Sequence, residues 1–300
     1  GELAHIFAGW QNGNMTDQVY HKVDNRHPEA LELEELGLKW LAEPMCRGGA
    51  HVVRVSDSGR GYLDTELIPQ AAISPQAARS FGAALALTHA GGADWYGQPP
   101  LGFSGPGFMG RSSLDLIYED DGQNWGEFFA VHRIMPNLPP ALANGSIDRA
   151  GTAVLEKLAQ RLRDGVFDVP EPELVKSRAS RIHGDLWTGN IIWAPSRALK
   201  HFPSVAGRGA NLNLPLPEVV GVLIDPAPSG GHAESDLAAL GVFGQPYLEE
   251  IYRGYNQVSP LASGWQERIN LHQIHMLAVH ANLFGGSYGS HTVDLARQYL

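Results

Sequence analysis

The segment "RIHGDLWTGNIIW", residues 181–193, sets a histidine, an aspartate and an asparagine in one short turn between apolar flanks. Asp185 precedes Asn190 by five positions. That spacing suits phosphoryl transfer: a carboxylate takes the proton of an attacking hydroxyl, and a neutral amide oxygen nearby coordinates magnesium beside nucleotide phosphates. Asp185 is then the base and Asn190 the metal ligand, with His183 bracing the loop rather than exchanging protons. Asp, Gly and Asn also favour plain surface turns, so the turn needs a partner. One lies forty positions on, where "VVGVLIDPA" ends an apolar strand on Asp225, a carboxylate suited to a magnesium ion that bridges phosphate oxygens.

The rest of such a site should lie upstream. Lys22 in "VYHKV" sits on a strand candidate, where an ammonium can reach the α- and β-phosphates. A glutamate on the following helix would hold it by an ion pair, and Glu32, Glu34 and Glu35 all qualify by position.

These residues need elements to carry them. From Leu3 to Ile68 short strand candidates (Ile6–Ala8, Val19–Val23, His51–Val55 and Gly61–Leu67) surround one helix, expected over Pro28 to Leu41 with Pro at its start and Leu31, Leu38 and Leu41 on one face. After "LIPQ" the chain becomes Ala-rich and helical, starting at an N-cap, Ser74, followed by Pro75. A boundary near Pro69 divides a nucleotide-binding lobe, 1–69, from a catalytic and substrate-binding lobe, 70–300. Further helices are expected near Trp125–Met135, Asp148–Asp164, Ser235–Leu240, Pro246–Gln257 and Gln266–Phe284. Two Gly/Pro-rich segments read as loops: Gly91–Gln123, expected on the surface, and Ala194–Glu218, between the strand candidates Ile191–Trp193 and Val219–Ile224.

Bulk properties narrow the partners. The 300 residues are 43% hydrophobic, enough for one large core or two smaller ones. A net charge of −10 without a long basic run argues against nucleic acid and anionic membrane. No apolar run reaches the length of a membrane-spanning helix. A single cysteine, Cys46, leaves no disulfide framework and no zinc cluster, which points to the cytoplasm; the thiol itself is expected to be a small buried hydrophobe.

The combination resembles the fructosamine kinase (ketosamine-3-kinase) family, of the aminoglycoside-phosphotransferase-like branch of kinases. "HGDLWTGN" is similar to that family's HGDLWSGN with Thr188 in place of Ser, and "IDPAPSGGHAESDLA" to its IDPA, GH and DLA run. "GFMGRSSLDLIYEDDGQNWGEFFAVHRIMPNL" and "LAVHANLFGGSY" extend the likeness over most of the chain. The resemblance implies an α+β, two-lobed protein-kinase-like fold and ATP- and Mg2+-dependent phosphorylation of a sugar hydroxyl on a ketosamine, free or on a protein lysine. In this family the phosphorylated adduct is unstable and falls off, which repairs glycated amines.

Carried over by motif, Asp185 is the base, Asn190 and Asp225 are magnesium ligands, and Lys22 with Glu34 sets the phosphates. Register favours Glu34, which stands ahead of "GLKWL". Backbone near Glu66 to Ile68 falls where the family's hinge meets adenine, Asp236 where an acidic residue braces the catalytic loop, and Trp187 and His280 where substrate could pack. The chain departs from the family in three places. The stretch "GELAHIFAGW" offers only Gly1 and Gly9 for a phosphate loop, His21 flanks the lysine, and Ala194–Glu218 is long.

Three other readings compete: a kinase for an aminoglycoside, choline or amino alcohol; a nucleotide-binding pseudokinase; and a metalloenzyme using His272, His275 and His280. The last lacks an HExxH pattern, so core or surface histidines are the better expectation.

Overall fold

A computed structural model describes residues 19–300 in full and, before them, the backbone of residues 5–7, 10–11 and 14–15. Gly1 and Gly9 lie outside the described residues. The sheet of the N-terminal lobe has the order β1 (His5–Phe7), β4 (Val19–Val23), β7 (Tyr62–Glu66), β6 (Val55–Gly59), all antiparallel. The short strands β2 (Trp10–Gln11) and β3 (Asn14–Met15) pair beside it. Helix α1, Pro28–Ala42, packs on this sheet. It starts at Pro28, whose missing N–H is no loss in a first turn, and it buries Leu31, Leu38 and Leu41 as its spacing predicts.

The expected strand over His51–Val55 is two elements. Only Val55–Gly59 joins the first sheet; β5 (His51–Val52) instead runs parallel to β12 (Val219–Leu223), which is antiparallel to β11 (Ile191–Pro195). The segment that follows α1 is thus sewn into the larger lobe.

That lobe is mainly helical: α2 (Pro75–Ala90), α3 (Trp125–Phe129), α4 (Leu138–Ala143), α5 (Arg149–Arg163), α6 (Ala233–Leu240), α7 (Leu248–Val258), α8 (Trp265–Phe284) and α9 (Tyr288–Arg297). Ser74 caps α2 as expected, its hydroxyl accepting from the N–H of Ala77 at 3.1 Å. Helices α2 and α7 approach until backbone meets backbone. A Cβ on Gly82 would stand 1.9 Å from the carbonyl oxygen of Ile251, and one on Gly254 would stand 2.0 Å from that of Arg79, so only glycine allows the contact.

Several expectations need correction. The helix over Trp125–Met135 is an α-turn that widens into a π-helix over Ala130–Ile134 and tightens to 3-10 over Met135–Asn137, where Pro136 withholds an N–H. Gly91–Gln123 is not confined to the surface. It buries Ala93, Tyr96, Phe103, Met109 and Leu114 and forms a small hairpin, β8 (Phe108–Met109) with β9 (Ser112–Ser113). Cys46 is exposed, because the 3-10 turn Glu43–Arg47 holds its thiol outward with Sγ donating to the carbonyl of Glu43. The Ala194–Glu218 excursion buries Leu199, Phe202 and Ala206 and docks on the turn before β5, the N–H groups of Gly207 and Gly209 donating to the carbonyls of Gly49 and Gly48.

Candidate active site

Two crossed ladders bring the candidate residues together. Strand β10 (Ser180–Ile182) pairs with β13 (Ser229–Gly231), while β11 pairs with β12. The loop from β10 to β11 carries Asp185 and Asn190; the loop from β12 to β13 carries Asp225. Because the outer strands pair with each other and the inner strands do likewise, both loops emerge at the same end. Gly184 makes the crossing possible: its φ is +87°, and a Cβ there would lie 2.0 Å from the carbonyl oxygen of Ala227.

Asn190 ties the turn to itself. Its Nδ2 donates to the carbonyl of Asp185 at 2.8 Å and to the carboxylate at 3.2 Å, which leaves Oδ1 as a free acceptor. The carbonyl of Asn190 accepts from the N–H of Ile224, one residue before Asp225. Asp225 takes a φ of +50°, outside the regions comfortable for a residue with a side chain, and that conformation directs its partly exposed carboxylate to Lys22.

Lys22 Nζ donates to Glu34 Oε1 at 2.5 Å and also to Asp225 Oδ1. Burial alone would depress the ammonium, but the two carboxylates overcome it and hold the group above its ordinary value. Of the three rival glutamates the structure brings Glu34 to the lysine. Glu35 pairs with Lys39 and the hydroxyl of Ser58, and Glu32 is exposed. His21 lies against Asp64 instead of facing the lysine's partners.

Below the turn, Asp236 accepts from the N–H groups of His183 (2.8 Å) and Gly184 (3.0 Å) and from Nε2 of His89 (2.8 Å). Burial would raise its carboxyl, but these donors keep it below the ordinary range. A carboxylate can only accept, so His89 donates from Nε2, and its Nδ1 is hydrogen-bonded with the Tyr255 hydroxyl at 2.6 Å. His183 accepts the N–H of Asp185 on Nδ1 and donates from Nε2 to the carbonyl of Ile224 at 2.7 Å, which joins the two loops. Burial lowers its imidazole pKa, so the ring is neutral and braces the loop.

Asp185 contrasts with Asp236. Burial pushes its carboxyl up to about 7; the bond from Asn190 pulls it down, and the charge of Asp225 pushes it up again. Functional sites characteristically hold a group so perturbed.

The other candidates spread outward. Glu66 and Ile68 stand where the chain leaves β7 for the larger lobe, with Ile68 buried. Trp187 is half-buried over the turn, its ring near Gly189 and 5.8 Å from that of Phe243. His280, near the end of α8, lies 5.0 Å from Phe243 on its other side. His89, Tyr255, Arg181 and Phe243 escaped the sequence reading. "LTHA" and "GVFG" carry no motif, and only the packing reveals them. Arg181 is buried and donates to the carbonyls of Trp40, Gly91 and Gly92 and to Glu43.

The histidines proposed as metal ligands separate. His272 instead meets His232 and Glu234, with potential ligand atoms within 4.8 Å, yet Glu234 is held by Arg268 through bonds of 2.7 and 3.0 Å. His272 Nδ1 is likewise taken by Ser235, so protein partners already engage two of the three members, while Nε2 of His232 lies 3.1 Å from Glu171.

A sheet lobe that carries a lysine–glutamate pair over a helical lobe that carries an Asp–Asn turn and a strand-end aspartate defines a small-molecule phosphotransferase of the protein-kinase-like fold. An ADP-bound aminoglycoside phosphotransferase, 9% identical, shares that fold with a TM-score of 0.54 over the whole of this chain and 95% of its own. Within the class the match is closer: the fructosamine kinase family model covers residues 4–300, and the chain belongs to that family. A protein from Synechocystis sp. assigned as a ketoamine kinase is 28% identical over 91% of this chain and 79% of its own length. A crystal structure of a protein assigned as a fructosamine-3-kinase from Thermobifida fusca is 30% identical, with a TM-score of 0.76 over 99% of this chain and 94% of that one. No helix among the described residues is long and apolar enough to cross a membrane.

Proposed function

We propose that the protein transfers the γ-phosphoryl group of ATP to a sugar hydroxyl of a ketosamine, the adduct of a reducing sugar with an amine, and so acts in deglycation. The observation that carries this reading is the convergence of Asp185, Asn190, Asp225 and Lys22 from three separate stretches of chain, joined to family membership.

In the reaction a bond forms between the sugar oxygen and the γ-phosphorus, and the bridge to the β-phosphate breaks to release ADP. Asp185 orients the hydroxyl and takes its proton. A half-buried carboxylate with its affinity for protons raised toward neutrality suits that task. Lys22, held by Glu34, positions the α- and β-phosphates, and the backbone near Glu66 to Ile68 receives the adenine. Asn190 Oδ1 and the Asp225 carboxylate form an all-oxygen pair that fits Mg2+. When bound there, the ion supplies positive charge beside the phosphates. His183 and Asp236 act through the loop, keeping Asp185 in place. Residues 1–69 serve as the nucleotide-binding lobe and 70–300 as the catalytic and substrate-binding lobe, with ATP placing the reaction in the cytoplasm.

The test is Mg·ATP consumption with fructosyl-lysine and ribulosyl-lysine beside choline and an aminoglycoside, with Asp185→Asn as the blank. Turnover on a ketosamine alone is expected. Turnover on choline or the aminoglycoside alone would keep the fold and overturn the substrate, and silence on all four with intact ATP binding would favour a pseudokinase.

A further inference from the structure

Beside the catalytic turn stands a wall of aromatic rings whose exposure the fold does not need. Trp187 meets Phe243 edge-on at 5.8 Å, Phe243 meets His280 at 5.0 Å, and His280 meets Phe284 at 5.6 Å and Tyr288 at 5.1 Å. Phe243 is 40% exposed and Phe284 68% exposed, so a ring that could have been buried is left in water at each place. Phe284 is nevertheless held firmly. The end of α8 is tied down by Asn144, whose Nδ2 donates to the carbonyls of Ala281 and Asn282, and by Asn282, which donates to the side chain of Asn137.

His280 adds a polar group of defined sense. A backbone carbonyl can only accept, so the 2.7 Å contact to the carbonyl of Met276 makes Nδ1 the donor. In the neutral ring Nε2 is then an acceptor in the company of three aromatic rings, whose faces carry partial negative charge. An acceptor flanked by such faces suits a cation that has an N–H to give and carbon on either side.

We propose that Phe243, His280 and Phe284 form the subsite for the amine half of the substrate, where a protonated secondary alkylamine donates to His280 Nε2 and lies against the two phenyl rings. The inference rests on the ketosamine reading above and extends it: the sugar is placed at Asp185, and the wall that begins at Trp187 selects a charged amine carrying an apolar chain. An alkylammonium keeps its charge at neutral pH, as lysine does.

The experiment compares kcat/KM for a fructosyl-alkylamine with that for the isostere in which an ether oxygen replaces the amine nitrogen, so that the charge and its N–H donors are removed together. Wild type is expected to prefer the amine by about tenfold or more, on the scale of a partly desolvated cation–aromatic contact. His280→Phe, which keeps a ring and removes the acceptor, and Phe243→Leu should each shrink that preference about threefold or more, mostly through KM for the amine. Phe284→Ala, at an exposed ring, provides the same reading should either of the others fail to fold. Turnover of both compounds without preference, or a preference unchanged in all folded variants, overturns this subsite and leaves the kinase reading standing. Silence of wild type on both, with ATP bound, overturns the ketosamine reading and the subsite together.

Discussion

The catalytic turn and the aromatic wall beside it are built in opposite ways. The backbone of the turn is held by a short list of neighbours: Asp236 and His183 grip its N–H groups, Asn190 closes the loop, and Gly184 lets the two ladders cross. The wall is assembled from a loop and the ends of two helices, and it touches water. The first arrangement fixes atoms to the tolerance that proton transfer demands; the second offers surface, and surface tolerates change. Substitutions in the two regions should therefore differ in kind, with losses of rate or folding at the turn and shifts of affinity at the wall.

The largest effect is expected from Asp185→Asn, which should lower kcat by about 10²–10⁴-fold, the usual weight of a positioned general base, with nucleotide affinity little changed. Single-turnover kinetics with nucleotide titration check this, and near-normal turnover would remove Asp185 as the base. Next is Asp236→Ala, which orphans two buried N–H groups and His89. A loss of about 3–5 kcal/mol, or roughly 10 °C in a thermal melt, is expected. A melt unchanged within about 2 °C would show that the loop is held by other means.

A smaller effect of opposite sign sharpens the contrast. In metal-free protein the Asp185 carboxyl titrates near 7, above the ordinary carboxylate range, so between about pH 4 and 7 the native state binds more protons than the unfolded chain. Stability from this group is complete below its unfolded pKa and is lost as pH rises through the folded value. Asp185→Asn should therefore stabilise the chelated protein at pH 8, on the order of 2 kcal/mol, and by much less at pH 5. Urea titrations at the two pH values measure it, and an equal increment at both would sink the idea. Smallest is Trp187→Leu, expected to raise substrate KM about three- to tenfold while kcat moves less. A fall in kcat as large as that of Asp185→Asn would place Trp187 with the turn rather than the wall.

How legible each region is in the sequence follows from the same difference. Asp185, Asn190 and Asp225 announce themselves because the proposed chemistry would need them within one loop or at one strand end, and the lysine and its glutamate because a strand and the next helix carry them. Long helices with a clear face, such as α5 with its Asp148 cap, are equally plain. What stays hidden depends on contacts distant in sequence. His89 looks like an ordinary helix residue until Tyr255 and Asp236 flank it, Phe243 looks like a stray apolar residue in a turn, and the short strand β13, "SGG", has no β-former to betray it. Cys46 departs from expectation because a thiol's preference for burial says nothing about which way a 3-10 turn points it.

The mooring of the segment after α1 has a mechanical consequence. Residues 48–52 are bonded to the larger lobe through β12 and through Gly207 and Gly209 of the 194–218 excursion, and Arg181 grips the end of α1 at Trp40 and Glu43. Helix α1 is therefore held on two sides, its last turn by the larger lobe and its flank by the four-stranded sheet, where Ser58 donates to Glu35. Lys22 spans the same junction, bonded at once to Glu34 on that helix and to Asp225 of the larger lobe. The lysine is a rivet through three layers: sheet, helix and the loop below.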